Sequence, residues 1–151
     1  MLFRSRERAE AINRQVVRFA RERNWPQEVA AARVQLALLA LANGEVRRVR
    51  EEVEAAEGEL GSAPRHALWL HVGMLRAVLG AEAGDERGCR AWWAVARERG
   101  IEERHVPDLW LPLERLGMAA RRNGWEDIAK RALRRLQTDT SAEAVVVEDD
   151  G

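Results

Sequence analysis

The chain has 151 residues, with 25 Lys plus Arg balanced by 25 Asp plus Glu. That length supports one domain with a core of its own, and the zero net charge argues against a general nucleic-acid binder, which carries a basic excess. A single cysteine, Cys89, excludes an internal disulfide, and no apolar run approaches the roughly 18 residues of a membrane span.

Ala, Leu, Arg and Glu dominate, all strong helix formers, so the expected class is all-α with about seven helices. The first is placed at residues 3–23 and is Arg-rich: the first 24 residues hold seven Arg and three Glu. The opening residues are charged where a secretory leader would be apolar, and with the lone thiol this reads as a cytoplasmic protein. Pro26 suits the first turn of a second helix, where a missing N–H costs nothing. That helix spans 26–43 and stops at Asn43-Gly44, with Gly supplying a left-handed C-cap. A third follows at 45–57. Pro64 opens a fourth at 64–83, closed by Ala83-Gly84, and a fifth covers 85–99. Pro107 opens the sixth at 107–123, closed by Asn123-Gly124, and the seventh covers 125–137. From Thr138 to Gly151 there are five acids and no base, the composition of a flexible tail.

The three turn glycines, at 44, 84 and 124, stand 40 residues apart. A fixed interval of this size marks stacked helical hairpins, and the flanking positions agree. Seven before each glycine come Ala37, Ala77 and Gly117, and four before come Ala40, Gly80 and Ala120. All six are small, which lets two helices approach closely. Five after come Val49, Cys89 and Ala129, nine after come Val53, Trp93 and Leu133, and twelve after come Ala56, Ala96 and Leu136. These recur at helical spacing and form the packing stripe of each second helix. Phe19-Ala20-Arg21-Glu22-Arg23-Asn24 resembles Val95-Ala96-Arg97-Glu98-Arg99-Gly100. Helix 1 therefore reads as the second helix of an earlier repeat, either a cap or the start of a cut array. The domain is expected to cover 1–137, with hairpins at 26–57, 64–99 and 107–137 and the tail at 138–151.

This pattern resembles the tetratricopeptide (TPR) motif. The third hairpin is nearest to it, with Leu116-Gly117 followed by Ala120, Gly124, Ala129 and Leu133. Ala37 and Ala77 replace the usual glycine, and the interval is 40 residues rather than the motif's roughly 34. Leu36-Ala37-Leu38-Leu39-Ala40-Leu41-Ala42-Asn43-Gly44 and Ala91-Trp92-Trp93-Ala94-Val95-Ala96-Arg97-Glu98-Arg99-Gly100 are similar to sensor-domain repeats of large LuxR-type ATP-dependent transcriptional activators. HEAT-like repeats of comparable length are a competing assignment. The resemblance covers residues 10–137. It implies a right-handed α-α superhelix of antiparallel hairpins and a region that binds a small inducer or a protein partner.

In such a stack the first helix of each hairpin lines a concave face. Carrying the motif register across places Val34, Leu38 and Leu41 there from the first hairpin. The second contributes His71, Met74 and Val78, and the third Leu111, Glu114, Met118, Arg121 and Arg122. An apolar groove with a few polar groups suits a ligand or peptide, and the two arginines suit a carboxylate or phosphate. The competing reading makes the apolar stripe core and the arginines solvated charges near a helix C-terminus.

His66, His71 and His105 show no ligand spacing, and neither HExxH nor a phosphate loop occurs. Cys89 lies on the packing stripe and reads as a small buried hydrophobe. Of six Trp, Trp25 and Trp125 fall at helix junctions and Trp93 on the packing stripe. Trp92 cannot share the face of Trp93, and Trp69 and Trp110 lie near helix starts. An exposed one would be a binding anchor. The expected function is a non-catalytic binding module, the sensor part of a bacterial regulator, with no cofactor and no metal. Its partner is expected to be a protein or peptide, or a small-molecule inducer. The alternative is an assembly subunit that forms a homo-oligomer through its apolar repeat face. Nucleic acid and membrane are not expected partners.

Overall fold

The computed structural model describes residues 2–61, 63, 65–99 and 109–149, with side chains described over 5–61, 63, 65–99 and 109–137. It contains seven α-helices among these residues: α1 Leu2–Glu22, α2 Pro26–Ala42, α3 Val46–Leu60, α4 Leu68–Glu82, α5 Glu86–Glu98, α6 Trp110–Arg122 and α7 Glu126–Asp149. No strand is present among them, and no helix is long and apolar enough to cross a membrane.

Pro26 opens α2 as expected, whereas Pro64 and Pro107 lie outside the described residues. Four boundaries differ by three residues or more from the sequence reading, the start of α6 at Trp110 among them. Helix α3 continues to Leu60, whose side chain is fully buried, so core packing carries the helix past Gly58. Helix α4 begins only at Leu68, because His66 Nδ1 accepts the Leu68 amide at 3.1 Å and Trp69 Nε1 donates to the Ala63 carbonyl at 3.0 Å. Helix α7 runs to Asp149, through the segment read as a tail from residue 138. No Gly or Pro interrupts residues 126–149, so nothing in the backbone chemistry stops the helix.

Four turns share one geometry. Asn24, Gly44, Gly84 and Gly124 are all left-handed, at φ 58°, 72°, 73° and 80°. The next residue in each case donates its amide to the carbonyl five positions back: Trp25 to Ala20, Glu45 to Ala40, Asp85 to Gly80 and Trp125 to Ala120, at 2.8 to 2.9 Å. This bond satisfies a carbonyl that the helix end would leave unpaired. The packing positions follow the turn. Ala20, Ala40, Gly80 and Ala120 stand four before it. Val29, Val49, Cys89 and Ala129 stand five after it, each at most 1% exposed. By this geometry α1 and α2 are themselves a hairpin. Helix α2 is at once its second arm and the first arm of the α2–α3 hairpin.

The double role explains why α2 has no polar face. Ala30, Val34, Ala37, Ala40 and Leu41 enter the main core, while Val29, Ala32 and Leu36 meet Val17 and Ala20 of α1 in a second, smaller cluster. Each hairpin packs arm against arm, and α2, α4 and α6 also touch one another, α2 with α6 included. Helix α4, touched by α2, α3, α5 and α6, is likewise buried nearly all round. The packing stripe of the second arms is buried at Val49, Val53, Ala56, Cys89, Trp93, Ala96 and Ala129, with Leu136 packed against the core edge. Ion pairs tie neighbouring helices: Arg33 to Glu52 at 3.0 Å, Arg76 to Glu57 through two bonds of 2.6 and 2.5 Å, and Arg48 to Glu10.

Candidate functional site

Helix α6 divides cleanly into two faces. Pro112, Leu113, Leu116, Gly117, Ala119 and Ala120 are buried, and Leu109 anchors the start at 3% exposure. Leu111, Glu114, Met118 and Arg122 recur at three- and four-residue intervals, so they share the opposite face, flanked by Trp110 and Arg121 on one side and Arg115 on the other. Trp110 is 59% exposed and Met118 49%. Glu114 and Arg121 have no ion pair or hydrogen bond among the described residues, and Arg115 Nε is buried with no partner. Arg122 is engaged: it pairs with Glu82 at 2.9 Å, beside the bond from Asn123 Nδ2 to the Ala81 carbonyl at 2.7 Å.

The face projected from the sequence is therefore only partly brought together. Its α6 portion is brought together on one side of the helix, with Met118 and Arg121 exposed, Glu114 half-buried and Leu111 half-buried against the core. Its α2 and α4 portions are largely core. Val34, Leu41, Met74 and Val78 are at most 5% exposed, and Leu38 and His71 are partly buried. The physical reason is the mutual contact of α2, α4 and α6, which closes the first arms on one another where an open channel was expected. Arg122 is tied to α4 and does not stand ready for a ligand. Trp110 and Arg115 were missed by the motif register, yet helical arithmetic holds both: Trp110 precedes Glu114 by four, and Arg115 follows Leu111 by four.

A second concavity lies on the outer side. The backbones of α3 and α5 do not touch, and a cleft of about 210 Å³ opens between them over α4, lined by Arg50, Glu54, Arg76, Leu79, Gly80 and Trp92 among others. Arg76 lies over the Trp92 ring, 5.9 Å from its centroid, and its bonds to Glu57 hold the guanidinium firmly charged. No family model, curated protein or solved structure matches the chain.

Cys89 is fully buried, and burial pushes its thiol up to about 11, away from the thiolate a nucleophile needs. His105 lies outside the described residues. No cluster of metal-ligating side chains occurs among the described residues. Trp25 packs edge-on against Phe19 at 5.9 Å while remaining 48% exposed. On the same helix Ile12, Val16 and Phe19 form an exposed apolar stripe. Two arginines of α1 are engaged locally, Arg14 with Glu10 at 2.9 Å and Arg23 over the Phe19 ring at 3.3 Å.

Proposed function

We propose that the chain is a non-catalytic recognition module of TPR-like hairpins, wound as a right-handed superhelix, and the sensor or scaffold part of a bacterial signalling or transcriptional regulator. Its partner meets the open face of α6. The observation that carries this reading is the exposure of Trp110 and Met118 beside Arg121, which has no ion pair or hydrogen bond among the described residues. Trp, Met and Arg are among the side chains enriched at interface cores. A protein or peptide is favoured over a small inducer because Trp110 and Met118 stand on an outward-facing helix surface, where a small molecule would be left largely in water. The second reading, an assembly subunit, is supported by the exposed Ile12, Val16 and Phe19 of α1.

The test is a photoreactive benzophenone side chain in place of Met118, introduced into the full chain in its native cell, with exposed Ala91 of α5 as the control position. A discrete crosslinked species from position 118 and none from position 91 is the expected result. Equal, diffuse labelling from both positions, or none from either, would overturn the reading.

A further inference from the structure

We infer that the α6 face docks on a second copy of this chain, with the two α6 helices antiparallel about a two-fold axis beside Met118. The inference rests on the reading of α6 as the recognition surface and names its partner.

The argument is self-complementarity. Among the described residues Glu114 and Arg121 are both without a partner, and they stand on one line of the helix, on either side of Met118. Seven residues separate them, about 10 Å along the axis, too far for an ion pair within the chain. A two-fold axis between them reverses the order. Glu114 then faces Arg121 of the partner subunit, and Arg121 faces Glu114 of the partner subunit. Both charges are satisfied by one operation, and the two Met118 side chains meet at the axis. The same register lays the exposed Trp110 alongside the Gly124 turn of the other copy, where Trp125 is only partly buried. A closed isologous pair of this kind uses one patch twice.

The other exposed apolar stripe does not suit an antiparallel two-fold pair. Ile12, Val16 and Phe19 on α1 are bracketed by Arg8 and Arg23 on the same side of the helix. An antiparallel two-fold there sets arginine against arginine. Like charges across an interface oppose association; on α6 the one such approach, Arg115 toward Arg122 of the partner subunit, is offset because Arg122 is already paired with Glu82 at 2.9 Å.

The test is sedimentation of the purified full chain across a wide concentration range. A single helix pair is at the small end of stable interfaces, so a monomer–dimer equilibrium that shifts with concentration and weakens with salt is expected. Glu114→Arg and Arg121→Glu should each abolish the dimer without changing the helical signal, since both side chains point away from the core. The double variant, which swaps the charges, should restore it. Met118→Cys should form a disulfide-linked dimer under mild oxidation, because the two sulfurs sit across the axis. A chain that stays monomeric at every concentration overturns the inference, as does a charge-swap variant that stays dissociated or an assembly that grows past the dimer. If the pure chain is monomeric while benzophenone at position 118 captures a different protein in cells, the dimer fails and the recognition reading stands. Absence of both ends both.

Discussion

Gly80 of α4 faces Cys89 of α5 so closely that a Cβ on residue 80 would lie 2.9 Å from the Cys89 amide nitrogen and 3.1 Å from its Cα. Both atoms are backbone, so the clash is relieved only by moving a helix. Gly80→Ala should therefore destabilise the fold by roughly 1–3 kcal/mol, the range for overpacking a tight contact. Gly73, on the same helix, is the internal control. Its nearest backbone neighbours would lie 3.4 Å from a new Cβ, an ordinary contact. Gly73→Ala should be neutral or stabilising by up to about 1 kcal/mol, from the helix propensity of alanine. Urea melts of the two variants should move in different directions.

Cys89 should behave as a core atom and not as a reagent. Burial is the largest cause of its raised pKa, from 9.0 to about 11, with Asp85 and Glu86 adding to it. In the native chain a thiol reagent at pH 8 should react only as fast as the protein opens, while the urea-unfolded chain should react at once. Because the folded pKa is the higher one, the thiol's contribution to stability is complete below pH 9.0 and is lost as pH rises toward 11. Fast, saturating modification of the native protein would show that the α4–α5 contact is open in solution.

Arg33 and Glu52 cross from α2 to α3 through a 3.0 Å bond, with side chains 18% and 8% exposed. Glu52 is the one buried charged residue among those described. Removing Arg33 leaves that carboxylate in the core edge without a counter-charge, so Arg33→Met should cost about 3–5 kcal/mol. The double variant Arg33→Met with Glu52→Leu should recover most of the loss, because an apolar pair of similar volume avoids the desolvation penalty. Thermal melts of the single and double variants decide the matter. If the double variant is as unstable as the single, the pair matters through packing and not through charge.

The repeat was legible because it is written in glycine and in small residues. Gly44, Gly84 and Gly124 announce left-handed turns, and Val49, Cys89 and Ala129 lie where the turn puts them. The fourth turn was missed because Asn24 stands in for glycine, and because it falls 20 residues, not 40, before Gly44. Asn tolerates the left-handed region, and Ala20 four before it was the available clue. The closing of the α2–α4 face was also written in the chain. Residues 29–42 of α2 contain only two polar side chains, Arg33 and Gln35, and a helix apolar all round is a buried one. What the sequence does not hold is the contact of α2 with α6. That depends on the angle at which successive hairpins cross, a property of packed side chains with no linear trace.

Arg90 and Asp127 join α5 to α7, whose backbones do not touch, by two bonds of 2.7 and 3.1 Å. These bonds, foremost among the causes, hold the Asp127 carboxyl down at about 2 against an ordinary value of 3.8. They also hold the Arg90 guanidinium charged, with help from Glu86. A depressed carboxylate stabilises the fold above its unfolded pKa and loses that contribution as pH falls through the folded one. The window is thus from 3.8 down to about 2. Asp127→Asn should lower the urea midpoint slightly at pH 7, slightly because both side chains face solvent and are screened by it. The gap between variant and wild type should narrow below pH 3.8 and close near pH 2, and it should also shrink in high salt. A gap that persists unchanged at pH 2 would mean that Asp127 acts at the start of α7 by some means other than its charge.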